Sequence, residues 1–316
     1  MVTLGAMQAR VNVIKPERLQ VGDKVHLVSP ASTPRAGAVE ATVAYLEDLG
    51  LRVVVGEHAL DVHGYFAGTD ADRLADLNGA LRDPEAKAIV ATGGGKGAYR
   101  IADKIDFAAA LASPKLLVGF SEISLLHLAL LRRCNIAGLH GAAWSDDVSE
   151  ASAESFRRAV FTTEEVRVEV RSSELTAALT TEGSATGPLV GGNQDMVATG
   201  EGWALPDLSG AILLLEDVGK GLGHIDRQLS RLIKVGALAK VAGIAVGQYV
   251  GCGPAESSGD NWDVVDVLRD RLGHVGVPVL GGLPVGHGDH PLAVPIGARA
   301  TISTTDQSLT VEPAVS

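Results

Sequence analysis

From Lys24 to Leu139 the chain alternates short apolar runs with stretches of helical periodicity, and that alternation admits few folds. Lys24-Val-His-Leu-Val-Ser29 reads as a buried strand closed by the turn-forming Pro30-Ala-Ser-Thr-Pro34. Val39, Val43, Leu46 and Leu49 then recur at helical spacing, and Gly50 stops that helix. Strand Leu51–Val55 follows. Thr69 is placed to cap a helix whose inner face is Leu74, Leu77 and Leu81, with Asp70 and Asp72 near its positive end. Strand Ala88–Thr92 runs into the glycine-rich Gly93-Gly-Gly-Lys-Gly97, and a helix is expected after it. Strand Lys115–Phe120 meets Ser121 and a helix with Leu125, Leu126 and Leu128 inside; a last strand, Ile136–Leu139, ends at His140-Gly141. Apolar strands alternating with helices imply a parallel sheet covered on both faces, a Rossmann-like α/β domain.

The stretch 166–187 is polar and rich in Glu, Ser and Thr, with an alternating Val166–Val170 run, and reads as the crossing between domains. The expected division is therefore 1–165, a crossing over 166–187, and a smaller mixed α/β domain over 188–316. In that second domain lie the apolar strands Ala211–Leu215 and Gly243–Val246 with a helix around Ile225–Val235. The final third, rich in Gly, Pro and Val, reads as short strands joined by turns.

Composition narrows the partners. With 27 Lys and Arg against 38 Asp and Glu the formal charge is −11, which argues against a nucleic-acid binder while leaving room for a local basic pocket. The two cysteines, Cys134 and Cys252, are too few for a disulfide framework and read as thiols in a reducing compartment. No apolar run reaches the ~18–20 residues that span a bilayer. Arg10, Lys15, Glu17 and Arg18 interrupt the region where a signal peptide needs an unbroken apolar stretch. A soluble cytoplasmic protein, with no membrane partner, is expected.

Three places can carry chemistry. Gly119-Phe-Ser-Glu-Ile123 puts a serine at a strand-to-helix junction, either a nucleophile beside free helix N–H groups or a helix N-cap. The run Gly93–Gly97 fits a dinucleotide fingerprint only loosely, and its Lys96 is followed by Gly97 where a phosphate loop needs Ser or Thr. It reads as a tight turn, or as a loop whose N–H groups face a reacting centre. Gly286-His-Gly-Asp-His290 offers two histidines and an aspartate with no further ligand cluster, so one catalytic histidine is preferred over a metal site or a surface loop.

Several separated stretches together resemble one family, the LD-carboxypeptidases, serine peptidases that include the microcin C self-immunity peptidases. They are Gly64-Tyr-Phe-Ala-Gly68 with Arg73, Ala88–Ala98 with Arg100, Gly119–Ser124 with Leu126 and His127, His140-Gly141, and Gly191-Gly-Asn193. Ile212–Val218 with Ile225-Asp-Arg227, then Gly286-His287 with Pro295-Ile-Gly297, complete the series in order. Departures from the pattern are Glu122 for Asp, Ser124 for Thr, and the glycine run, where the family commonly shows Arg-Gly-Gly-Tyr-Gly. The last bears on specificity more than on chemistry.

The resemblance implies a Ser–His–Glu triad of Ser121, His287 and Glu216, and an oxyanion hole from the backbone N–H groups of Glu122 and Gly95. His287 rather than His290 matches the family's histidine. The implied activity is hydrolysis of the amide to a terminal D-amino acid, as when a muropeptide tetrapeptide loses D-Ala in cell-wall recycling. The substrate's carboxylate needs a cation, for which Arg100 and Arg227 are candidates. A homodimer that needs no metal or cofactor is expected. Within the family the alternative is cleavage of a peptidyl- or aminoacyl-nucleotide conjugate, for which Trp144 and Trp203 could stack on the base. Outside it, a nucleotide-binding oxidoreductase or a non-catalytic binding protein would use the same fold.

Overall fold

The computed structural model describes residues 13–141, 149–254 and 261–316. The first half folds as the alternation dictates. Strands β1 (Lys24–Val28), β2 (Arg52–Val55), β3 (Ala86–Ala91), β4 (Leu116–Gly119) and β5 (Gly138–His140) form a parallel sheet in the spatial order β5-β4-β3-β1-β2. Helices α1 (Ala38–Asp48), α2 (Asp70–Arg82), α3 (Phe107–Ala112), α4 (Ser124–Cys134) and α5 (Glu150–Phe161) connect or follow these strands. Thr69 caps α2 in a reciprocal box with Asp72. The helix expected directly after the glycine run is instead two 3-10 turns, Ala98–Arg100 and Ala102–Lys104, ahead of α3. Ala98, Ile101, Ala102 and Ile105 are buried at helical spacing, but Ile101 leaves helical dihedrals (φ −122°, ψ −15°) and breaks the run.

The second sheet holds β6 (Val166–Glu169), β7 (Ser184–Asn193), β8 (Ile212–Val218), β9 (Gly243–Val250), β10 (Val279–Leu280), β12 (Arg299–Ser303) and β13 (Ser308–Val311), in the order β10-β9-β8-β7-β12-β13-β6. Strands β7 to β10 run parallel, with α6 (Gln194–Gly200), α7 (Leu222–Lys234) and α8 (Val264–Gly273) as their helices; β12, β13 and β6 are antiparallel. Both ends of the polar stretch 166–187 thus enter this sheet, β6 as an edge strand on β13. The final third is also not strands alone. Helix α8 carries its own capping box, Asp263 with Asp266, and buries Val264, Val267, Leu268 and Leu272 on one face. The valines of that face gave it the look of a strand, since β-branched residues favour sheets when no tertiary partner is known.

The two sheets are tied at two places. Helix α4 is buried almost all round and belongs to one apolar cluster that continues into α6 and β8. Strand β11 (Val294–Ile296) lies far along the chain yet pairs antiparallel with β5, closing the edge of the first sheet. Its Pro295 fits an edge position, where no ladder donor is needed on the outer side.

Candidate active site

In an open parallel sheet, ligands sit outside the carboxyl ends of the strands where the strand order reverses, here between β1 and β3. A cavity of about 650 Å³ lies there, lined by the segments that follow β1, β3, β4 and β5, and by Val218 and His287 from the second sheet's side. Every strand of that part of the first sheet therefore delivers a loop to one place.

Ser121 is half-buried just past β4, at φ 60°, and opens a 3-10 turn that runs into α4. A serine held at positive φ costs about 1–3 kcal/mol and persists only where its surroundings force it. Those surroundings are visible. A Cβ added to Gly94 would lie 2.7 Å from Ser121 Cβ and 2.9 Å from its Oγ, so only glycine lets the run pack against the serine. Glu122 turns inward: its Oε1 accepts the N–H of Gly97 at 2.9 Å, and burial pushes its carboxyl above the usual range. Ser32, after β1, donates its N–H to Gly94 O (3.2 Å) and accepts Lys96 N–H on Oγ (3.0 Å). Three loops are thereby locked together around one hydroxyl. From α4, His127 donates its Nε2–H to the Gly119 carbonyl at 2.9 Å and pins the end of β4. Burial holds that imidazole neutral, at about 4.

The second sheet brings a carboxylate and an imidazole. Glu216, fully buried on β8, has its Oε2 2.6 Å from His287 Nδ1. A carboxylate on Nδ1 fixes the tautomer and leaves Nε2 as the acceptor. Gly286 precedes the histidine at φ 129°, and a Cβ there would sit 2.8 Å from Glu216 Oε2, so a side chain would displace the pair. The Phe120 ring lies 4.8 Å from the His287 ring, beside the turn that carries Ser121. His140 stands 3.9 Å from Glu216 Oε1, too far for a hydrogen bond. Desolvation, then His127 and His287, keeps it neutral at about 3. Asp217 faces away from Glu216: it accepts from Asn193 Nδ2 at 3.1 Å, and burial raises it to about 6.

Ser121, Gly95 and His287 all line the cavity, with Glu216 behind His287 and Glu122 behind the glycine run. The glycine that touches Ser121 is Gly94; Gly95 packs on Ser32. His290 is exposed, at φ 51°, with its carbonyl bound by Arg171. Arg100 pairs with Asp70 at 2.8 Å, and Arg227 is exposed on α7 with its guanidinium 3.4 Å from Gly223 O; neither lines the cavity. Trp203 hydrogen-bonds Thr199 O (2.8 Å) outside the lining, and Trp144 lies outside the described residues. The roles of His127 and of the Glu122 side chain were missed in the sequence; a histidine and a carboxylate inside apolar runs were the available signal.

Residues 25–141 match the LD-carboxypeptidase N-terminal domain and residues 186–302 the LD-carboxypeptidase C-terminal domain. The chain is 35% identical over 305 residues to a probable murein peptide carboxypeptidase of Bacillus subtilis, covering 96% of this chain and 95% of that one. It is 37% identical over 311 residues to a putative carboxypeptidase of Streptomyces coelicolor, covering 95% and 96%. Its fold superposes on the microcin C7 self-immunity protein with a TM-score of 0.84 at 20% identity, covering 96% of this chain and 99% of that one. The chain belongs to the LD-carboxypeptidase family, and so to the peptidases.

Proposed function

We propose that the protein is a serine carboxypeptidase that removes the terminal D-amino acid from a muropeptide, converting a tetrapeptide to a tripeptide in cytoplasmic cell-wall recycling. The observation that carries the reading is the convergence, in one cavity, of a serine at φ 60° and a histidine whose Nδ1 is 2.6 Å from a buried glutamate. Ser121 Oγ attacks the scissile carbonyl while His287 Nε2 takes its proton. Glu216 stabilises the imidazolium that forms. The backbone N–H groups of Glu122 and Gly95 receive the developing oxyanion. His287 then protonates the leaving amine, and water, deprotonated by the same imidazole, releases the acyl group from Ser121.

Cleavage of nucleotide conjugates is placed second, because only Gly219–Gly221 joins β8 to α7 and leaves little room for a base-stacking loop after Glu216. The test is incubation with a diaminopimelate-containing tetrapeptide and, separately, with an aminoacyl-sulfamoyl adenosine, read by mass spectrometry. Loss of D-Ala from the first, and no change in the second, is expected. The opposite pattern reverses the two readings.

A further inference from the structure

We propose that Arg35 binds the free terminal carboxylate of the substrate and so confines the enzyme to the last residue of a chain. The proposal rests on the carboxypeptidase reading of the cavity and adds the group that recognises the chain end. Among the described residues that line the cavity, Arg35 is the one Lys or Arg, and there is no Asp or Glu. In a chain of charge −11 that is a local reversal of sign. The other arginines near the glycine run are engaged: Arg73 and Arg100 both pair with Asp70. Arg35 has no side-chain hydrogen bond or ion pair among the described residues, so its guanidinium is open to a ligand.

Its position is held by backbone. The Arg35 carbonyl accepts the N–H of Ala38 at 3.1 Å at the start of α1. Three residues upstream, Ser32 is bonded to Gly94 and Lys96, and Gly94 packs on Ser121. The segment that carries the arginine is thus tied to the run that touches the serine. In the proposed substrate one residue, roughly 3.3–3.6 Å of chain, separates the scissile carbonyl from the carboxylate, so the recognising cation must line the same cavity. A guanidinium presents a fork of N–H donors that matches a carboxylate in two places, and such charge-assisted bonds are the strong ones. A hydroxyl or backbone donor would bind an amide nearly as well; a cation separates the free acid from the amide.

The test uses Ser121→Ala protein, which holds substrate without turning it over, titrated by calorimetry with the tetrapeptide and with its C-terminal carboxamide. The acid is expected to bind about 10- to 100-fold tighter than the amide. Adding Arg35→Ala should bring the acid to the level of the amide, and Arg35→Lys should restore part of the difference; melting curves check that each variant is folded. No preference for the acid, no binding of either peptide, or a preference that survives Arg35→Ala overturns the proposal. Turnover by the unsubstituted enzyme is read separately. D-Ala release without a preference for the acid removes Arg35 and leaves the hydrolase; a preference that depends on Arg35, without release, does the reverse.

Discussion

The two sheets furnish the site in opposite ways. The first gives a strained backbone: Ser121 at φ 60°, a glycine run pressed against it, and helix α4 beginning three residues on. The second gives a buried strand residue, Glu216 on β8, and a histidine, His287, that a loop brings against it. One side holds backbone N–H groups and a hydroxyl in fixed positions, and the other pairs a carboxylate with an imidazole. Substitutions on the two sides should therefore fail differently, one through position and one through charge.

The largest effect belongs to Ser121. Ser121→Ala should lower kcat/KM by several orders of magnitude. Ser121→Gly should be equally inactive yet melt higher by about 2 °C, because glycine relieves the positive φ. Differential scanning calorimetry on the two variants checks this; a lower melting point for the glycine variant would mean that the turn is not strained. On the other side, Glu216→Gln keeps the volume but loses the charge that orients His287, and kcat should fall by roughly 10³–10⁴ with the melting point nearly kept. A smaller loss, about 10- to 100-fold in kcat, is expected for Gly94→Ala, whose methyl would stand 2.9 Å from Ser121 Oγ. Wild-type turnover by that variant would show that the run does not hold the serine.

The smallest effect concerns pH and stability. His127 at about 4 and His140 at about 3 lie below their ordinary 6.5, so from pH 6.5 towards 4 the unfolded chain binds the extra protons. Stability must fall as pH falls through that window. Asp217, raised from 3.8 to about 6, opposes this between those values, since there the folded chain holds the extra proton. Glu122 and Asp76, also raised by burial, oppose it as well, so the histidine contribution is read by difference from the unsubstituted protein. As pH falls from 6.5 to 4.5, the urea midpoint of His140→Gln should fall less, or rise more, than that of the unsubstituted protein; identical slopes would mean that His140 takes up its proton in the folded state.

How much of this was legible in the sequence follows the same division. Strands β1 to β5 announce themselves as apolar runs, and Ser121 stands out because a strand ends and a helix begins on either side of it. Glu216 needed the family likeness, since a carboxylate at the end of an apolar strand has several structural uses. Arg35 carries no motif: its place on the cavity wall, with no side-chain partner among the described residues, is visible only in the folded chain. The Glu122 side chain was hidden behind its own backbone role, and β6 lay hidden in a polar stretch because an edge strand shows water one face. Helix α8 carries Asp263 and Asp266 three apart, a capping pair that becomes legible only once the helix it opens is seen.

The position of β11 has a consequence for product release. The segment carrying His287 continues into a strand of the sheet that carries Ser121, where Val294, Pro295 and Ile296 are in register with His140, Leu139 and Gly138. Swinging the sheets apart would tear that ladder as well as the apolar contacts of α4. The two halves are therefore braced against opening like a hinged cleft. On the proposed reading, D-alanine and the shortened peptide would leave by the mouth through which the substrate entered.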